Sequence, residues 1–403
     1  MTLLSNRLLS FSAGFIGIGQ VLISAQITAL FFSPPLVNLS EFFVYLIVLL
    51  VPQVRDQVKE FLLSNAGRWF LGFILIILLG ALWSWFQKIL DFGVLVSWRK
   101  ILMLPVAAAL FKDNFSAQRS FLVVFLVVCS VAAVTAVCGF FMFGNGSVVR
   151  NYSTQSMFFS AGVITALFLL LISRSSLSRL IYCGMLLVIL SGLVFATAGR
   201  SGYLALLSML TAFFILAIAR LKSPSAIGLG AVVISILILG LVFSPLASER
   251  IRQAVEEINA PVSDTTETSL GQRKLFWSVT VEMLPDHFIL GSGTASFGAV
   301  YSQHIRRHYA NTESLLTRDP HNQFLKIWIE HGLIGLFLFL AVLLFLARNS
   351  RSSPYGELGV LLLIGWMASS LFNSHFSTFS EGRFVWIWLG VLLSSNVVYR
   401  AHS

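Results

Sequence analysis

The chain has 403 residues, of which 57% are hydrophobic and only 11% charged, with a mean hydropathy of +0.86. That composition excludes an ordinary water-soluble enzyme and makes lipid the main solvent. The net charge of +10 raises nucleic acid as a partner, yet much of it sits at the ends of apolar segments, where cations anchor helices against an anionic leaflet; no nucleic-acid partner is expected.

Apolar runs at 8–31, 35–53, 69–88, 92–111, 121–143, 155–173, 178–197, 201–220, 226–246, 332–347, 356–374 and 383–400 predict an all-α, polytopic membrane protein of about twelve transmembrane helices. Runs such as Phe121 to Phe143 are too long and too apolar for barrel strands, and a helix satisfies its own backbone in hydrocarbon. The first run follows Arg7 and has the outline of a signal peptide. It is too long and has no convincing small-residue cleavage site, so it reads as a retained helix.

An even number of spans returns both termini to one side. Arg7, Arg55, Lys59, Arg68, Lys112, Arg119, Arg174, Arg179, Arg220, Lys222, Arg348, Arg351 and Arg400 fall at the termini or in the even-numbered connections, which are therefore expected to be cytoplasmic. The opposite short connections hold only Lys88, Arg150, Arg200 and Arg383, with Arg99 and Lys100 close to that face. Residues 1–403 thus read as a single membrane domain with a hydrophilic insertion at 247–331 on the outer side, which in a bacterium would be the periplasmic face of the inner membrane. Cys129, Cys138 and Cys183 lie inside predicted helices as packing residues, and no disulfide framework is readable.

Thr197 to Tyr203 forms a short polar break between two long apolar runs on the outer side, with Arg200 at its centre. An arginine so close to hydrocarbon calls for an anion or a wet cavity, and small Gly199, Ser201 and Gly202 leave room for a bulky ligand whose phosphate oxygens match the guanidinium fork. A snorkelling anchor is the alternative reading.

Within the insertion, Glu249 to Asn259 predicts a short polar helix and Pro261 to Thr268 a loop. From Gly271 to Met283 a helical register places Arg273 near Phe276, Trp277 and Val281, setting a second cation beside an aromatic surface. Gly291 to Phe297 is glycine-rich but lacks the Lys-Ser/Thr of a nucleotide loop, and a tight turn is expected there. Asp319 then reads as an N-cap and Pro320 as a first helical residue. That puts His321 in the first turn, where the helix dipole disfavours a further positive charge and leaves an imidazole able to accept a proton. A plain hydrogen bond to a neighbouring loop is the other reading of His321. His304 and His308 are expected on a solvated basic face beside Arg306 and Arg307, and Glu381 with Arg383 is expected to form a local ion pair. No Cys/His, HExxH or Asp-x-Asp spacing predicts a metal, and no cofactor is expected.

Four stretches together carry a resemblance: Gly199–Gly202, the Arg273 helix, Gly291–Phe297, and Pro320 to Leu325 running into Glu330 to Gly335. With them the chain resembles the O-antigen ligase and O-antigen polymerase superfamily of bacterial envelope glycosyltransferases. The resemblance implies transfer of a polyprenyl-diphosphate-linked glycan in the outer leaflet without metal or nucleotide sugar, the carrier being undecaprenyl diphosphate if the chain is a ligase. It makes His321 the catalytic histidine and Arg200 and Arg273 the diphosphate ligands. Arg99, Lys100 and Asn322 are further candidates for holding substrate. The single large outer loop favours an O-antigen ligase acting on lipid A-core over a polymerase, and a protein O-oligosaccharyltransferase is the other alternative within the superfamily. A lipid transporter or flippase is the reading from another class; against it stands the concentration of polar features on one face.

Overall fold

The computed structural model describes residues 2–197, 199–218, 224–244, 248–249, 252–253, 269–309, 316–349 and 353–393, and these are helical with no strand among them. The helices are α1 (Thr2–Phe32), α2 (Pro34–Leu50), α3 (Pro52–Leu63), α4 (Asn65–Phe86), α5 (Phe92–Ser97), α6 (Met103–Leu110), α7 (Phe115–Phe143), α8 (Tyr152–Ile172), α9 (Ser176–Ala196), α10 (Arg200–Leu216), α11 (Pro224–Phe243), α12 (Ser269–Glu282), α13 (Phe297–His308), α14 (Gln323–Arg348), α15 (Gly356–Ser369) and α16 (Phe379–Leu393). Each predicted span has helix over it. Seven helical stretches are long and apolar enough to cross a bilayer, or eight if α2 and α3 count as one broken span, while Arg200–Leu216 and Gly356–Ser369 are shorter apolar helices. The fold is that of a polytopic membrane protein. The predicted polar helix after Glu249 lies mostly outside the described residues, and the loop after Pro261 wholly so.

Two departures from the predicted spans have local causes. Val51 is extended before Pro52, as a residue preceding proline prefers, and α2 and α3 meet there at 96°. The emerging α3 turns Val54 and Phe61 inward and keeps Arg55 and Lys59 exposed, so it is an amphipathic helix and not a continuation of the span. The second departure is in α14, which begins nine residues before the predicted boundary at 332; Gly332 itself, at φ +65, is a break inside it.

The break is spliced by the glycine-rich turn. Ser292 N–H donates to Ile329 O at 2.8 Å and Gly293 N–H to Glu330 O at 2.8 Å, while Leu333 N–H donates to Phe288 O at 2.8 Å. Backbone groups freed by the kink thus find partners from 288–293, which is how irregular backbone survives among apolar helices. The fit leaves no room for a side chain: a Cβ on Gly291 would lie 2.5 Å from the Glu330 carbonyl carbon, and one on Gly332 2.0 Å from Ile289 O. Gly291–Phe297 is therefore a tight turn, as its sequence predicts.

The core lies around α8 and α16. Phe384 stacks on Trp366 (5.0 Å between ring centroids) and on Phe158 (4.9 Å), and Trp388 meets Phe125 at 4.9 Å, tying α15, α8 and α7 to α16. By contrast α4 exposes Leu71, Leu75, Leu78, Leu79 and Leu82 on its outer face, an arrangement suited to lipid.

Candidate active site

The site forms where the start of α14 meets the loop between α15 and α16. Gln323 N–H donates to Ser370 O at 2.9 Å, and the Gln323 side-chain oxygen accepts from Phe376 N–H at 3.0 Å and Ser377 N–H at 3.1 Å. These bonds fix 370–377 against the first residue of α14. Asn322, not Asp319, caps the helix: its Oδ1 accepts from Phe324 N–H at 3.0 Å and Leu325 N–H at 3.1 Å. The predicted cap fails because the Asp319 carboxylate has other partners. It accepts from Lys326 Nζ at 2.7 Å, Ser374 Oγ at 2.6 Å and the His321 backbone N–H at 2.8 Å. Burial by itself would raise the Asp319 carboxyl, but the Lys326 ammonium and these hydrogen bonds hold it below the usual carboxylate range.

His321 consequently stands just outside the helix, in the left-handed region at φ +53, a conformation uncommon for residues other than glycine and asparagine. One face of its ring lies on Phe276, with centroids 6.0 Å apart and planes at 22°. Its Nδ1 is 3.4 Å from Asn373 Oδ1; with the asparagine oxygen as acceptor, Nδ1 carries the proton and Nε2 is left able to take another. The imidazole is half-buried, clamped from α12 on one side and from the α15–α16 loop on the other.

Arg273 lies one turn before Phe276 on α12, close enough to act electrostatically on His375. Helix α12 buries Phe276, Val279 and Thr280, with Met283 just after it also buried, and leaves Val281 exposed. Trp277 packs on Phe372 at 5.5 Å, a second contact between α12 and the loop. Behind His321 is His375, fully buried, with neither ring nitrogen hydrogen-bonded among the described residues; Nδ1 is 3.8 Å from Glu381 Oε1. Burial lowers the His375 pKa; Glu381 opposes that shift while Arg273 adds to it.

Arg200 opens α10, at the same end of the bundle. Its neighbouring glycines serve helix contact and not ligand room. A Cβ on Gly199 would meet Ser156 Oγ at 2.3 Å, and Gly202 N–H donates to Ser156 Oγ at 3.1 Å. The first turn of α8 links Arg200 to the rest of the site, because Thr154, two residues before Ser156, donates to Glu381 Oε1 at 2.7 Å. Glu381 therefore does not pair with Arg383 as predicted. Arg383 is bound to Glu41 of α2 at 2.9 Å, and Arg99 shares the same carboxylate at 3.2 Å. Lys100 is buried and donates to the carbonyls of Ser377 and Thr378 (2.7 Å to the latter), holding the end of the loop. The basic face of α13 carries Arg306 and Arg307 in the open, as expected, while His304 packs towards Glu282 at 3.6 Å.

Sequence reasoning missed Gln323, Lys326, Asn373, Ser374 and His375 as members of the site. A signal existed: the run Asn373 Ser374 His375 Phe376 Ser377 Thr378 is polar between two apolar helices.

Comparison with known proteins adds one finding. Residues 185–340, from within α9 to within α14, match the family model described as O-antigen ligase. No curated protein matches the chain.

Proposed function

We propose that the chain, whose residues 185–340 match the O-antigen ligase family model, is a member of the O-antigen ligase and polymerase superfamily and acts as an O-antigen ligase. In this reading it transfers O-antigen from undecaprenyl diphosphate to a sugar hydroxyl of lipid A-core, in a bacterial inner membrane, with the site facing the periplasm and both termini in the cytoplasm. The observation that carries the reaction is the clamping of His321 between Phe276 and Asn373, beside the helix that bears Arg273.

The acceptor hydroxyl oxygen attacks the anomeric carbon while His321 Nε2 takes its proton. A new glycosidic C–O bond forms as the bond from that carbon to the diphosphate breaks, and the electron pair leaves with undecaprenyl diphosphate. Attack and departure on opposite faces invert the anomeric configuration. Arg200 and Arg273 neutralise the charge that builds on the leaving oxygen, the role in which fixed donors contribute most. With those guanidiniums in place, transfer is expected to continue in EDTA. Arg99, Lys100 and Asn322 act as supports of the site in this reading, since each has a protein partner in hand.

The test uses purified protein with lipid-linked O-antigen and lipid A-core. Ladder formation on lipid A-core is the expected result. Ladder growth on the polyprenyl carrier would make the protein a polymerase, and movement of lipid without transfer would make it a flippase.

A further inference from the structure

A polar cavity of about 440 Å³ lies between the α4–α5 connection, the start of α13 and the first part of α14. Lys88 and Asp91 from the α4–α5 connection, Ala299 and Ser302 of α13, Arg318 and Glu330 line it. The volume falls among those of small-ligand sites, roughly 300–1,000 Å³. Glu330 is 1% exposed, and its Oε2 has no hydrogen-bond partner among the described residues. Its carboxyl group faces the backbone N–H groups of Ala295 and Phe297, which fix it in place as the floor. A buried oxygen left unpaired in a lined cavity costs free energy unless a ligand completes it.

The lining decides the ligand class. Two carboxylates, Asp91 and Glu330, oppose an anion, and Lys88 with Arg318 opposes a cation. What satisfies both sets is a neutral group that donates and accepts at once, and the hydroxyls of a pyranose do this. Connection to the chemistry runs through Lys326, which bonds Asp319 at 2.7 Å and lies within the electrostatic reach of Glu330 and Asp91. Resting on the glycan-transfer reading above, we propose that this cavity is a saccharide subsite, holding a sugar ring of one of the two glycan substrates with Glu330 Oε2 accepting from a ring hydroxyl.

Ala299 is exposed at the rim, so Ala299→Trp fills the cavity without removing a polar group, and Glu330→Gln keeps shape while replacing the acceptor. Initial rates are measured in nanodiscs with lipid-linked O-antigen varied at fixed lipid A-core, and then the reverse, after size-exclusion and thermal melting show folded protein. Either variant is expected to raise the KM for one glycan substrate about tenfold, with kcat changed less than about twofold; which KM moves identifies the source of the sugar. Alongside, saturation-transfer NMR is run with soluble core oligosaccharide and with soluble O-antigen released from the two lipids. One of them should receive magnetisation from the wild type and lose it with Ala299→Trp. Transfer and saturation signals unchanged by Ala299→Trp would overturn the subsite while leaving the reaction standing. A wild type that binds a saccharide here and transfers none would overturn the reaction and leave the subsite.

Discussion

Phe276 and His321 lie nearly parallel, 22° apart, with ring centroids at 6.0 Å, and they come from separate elements: α12 and the loop entering α14. The aromatic face fixes the plane of the imidazole, so it sets where Nε2 points. Aromatic pairs of this kind contribute beyond simple burial, by an amount equivalent to about three- to tenfold in an equilibrium. Phe276→Leu keeps most of the apolar volume and loses the flat face. A fall in kcat of about three- to tenfold, with a smaller change in KM, is the expected outcome in the ladder assay. An unchanged kcat would remove Phe276 from the positioning of His321.

His321 itself is tested in a way that spares the backbone. At φ +53 alanine is strained, whereas asparagine tolerates the left-handed region and forms its local hydrogen bonds. His321→Asn is therefore expected to melt within a few degrees of the wild type and yet to lose about a hundred- to ten-thousand-fold in rate, the usual worth of a general base. A normal melt with normal transfer would show that the proton goes elsewhere.

Acid should weaken the protein partly through His375. Its imidazole is held below the ordinary histidine pKa by burial, so the unfolded chain binds a proton where the folded one does not. The sign follows: this contribution is fully present above the unfolded value of about 6.5 and is lost as pH falls below it towards the folded value. His287, also lowered by burial, adds in the same direction, so the comparison must be by difference. Melting of wild type and His375→Phe in nanodiscs from pH 8 to pH 5 should show the wild type losing more on acidification. Parallel curves would mean that His375 does not titrate in this range.

The splice at Gly332 makes a sharper claim about stability. Any side chain there meets a positive φ of 65° and an Ile289 oxygen 2.0 Å from the new Cβ. Gly332→Ala must open the turn from 288 to 293 or straighten α14, and either leaves backbone groups unpaired among apolar helices. The expected result is a loss of most folded protein after detergent extraction, measured by fluorescence-detected size exclusion. Gly14→Ala, with nothing within 4 Å of the new Cβ, should be recovered at wild-type level.

The contrast between what could and could not be read from the chain follows the range of the interactions. Apolar run length is local, and every predicted span has helix over it. The helical register around Arg273 is local too, and α12 covers it. Capping is only half local: Asp319 and Asn322 are both good caps, and the choice between them is made by Lys326 and Ser374 drawing Asp319 away. Arg383 finds Glu41 across 342 positions, and His321 meets Asn373 across 52. No periodicity encodes such pairings. Glycines show the same limit, since Gly199 and Gly202 read as room for a ligand and are contacts for α8.

The two arginines provide the most demanding test of the proposed chemistry. Arg200 is held at the first residue of α10, beside glycines packed hard on α8, so its backbone has little freedom to adjust. Arg273 rides on α12, which is pinned by Phe276 on His321 and by Trp277 on Phe372. If both neutralise the departing diphosphate, alanine at either position should remove most of the activity, because fixed guanidiniums in a low-dielectric site stabilise developing charge far better than water-exposed cations. Lysine keeps the charge and loses the planar fork, so Arg200→Lys and Arg273→Lys should retain a part of it. Arg200 should be the more sensitive of the two. The measurement is initial rate for all four variants at matched membrane expression, with the same assay run in EDTA. Near wild-type rates for both alanine variants would make the arginines topological anchors. Rates abolished by EDTA and restored by Mg²⁺ would show that a metal ion carries the charge instead.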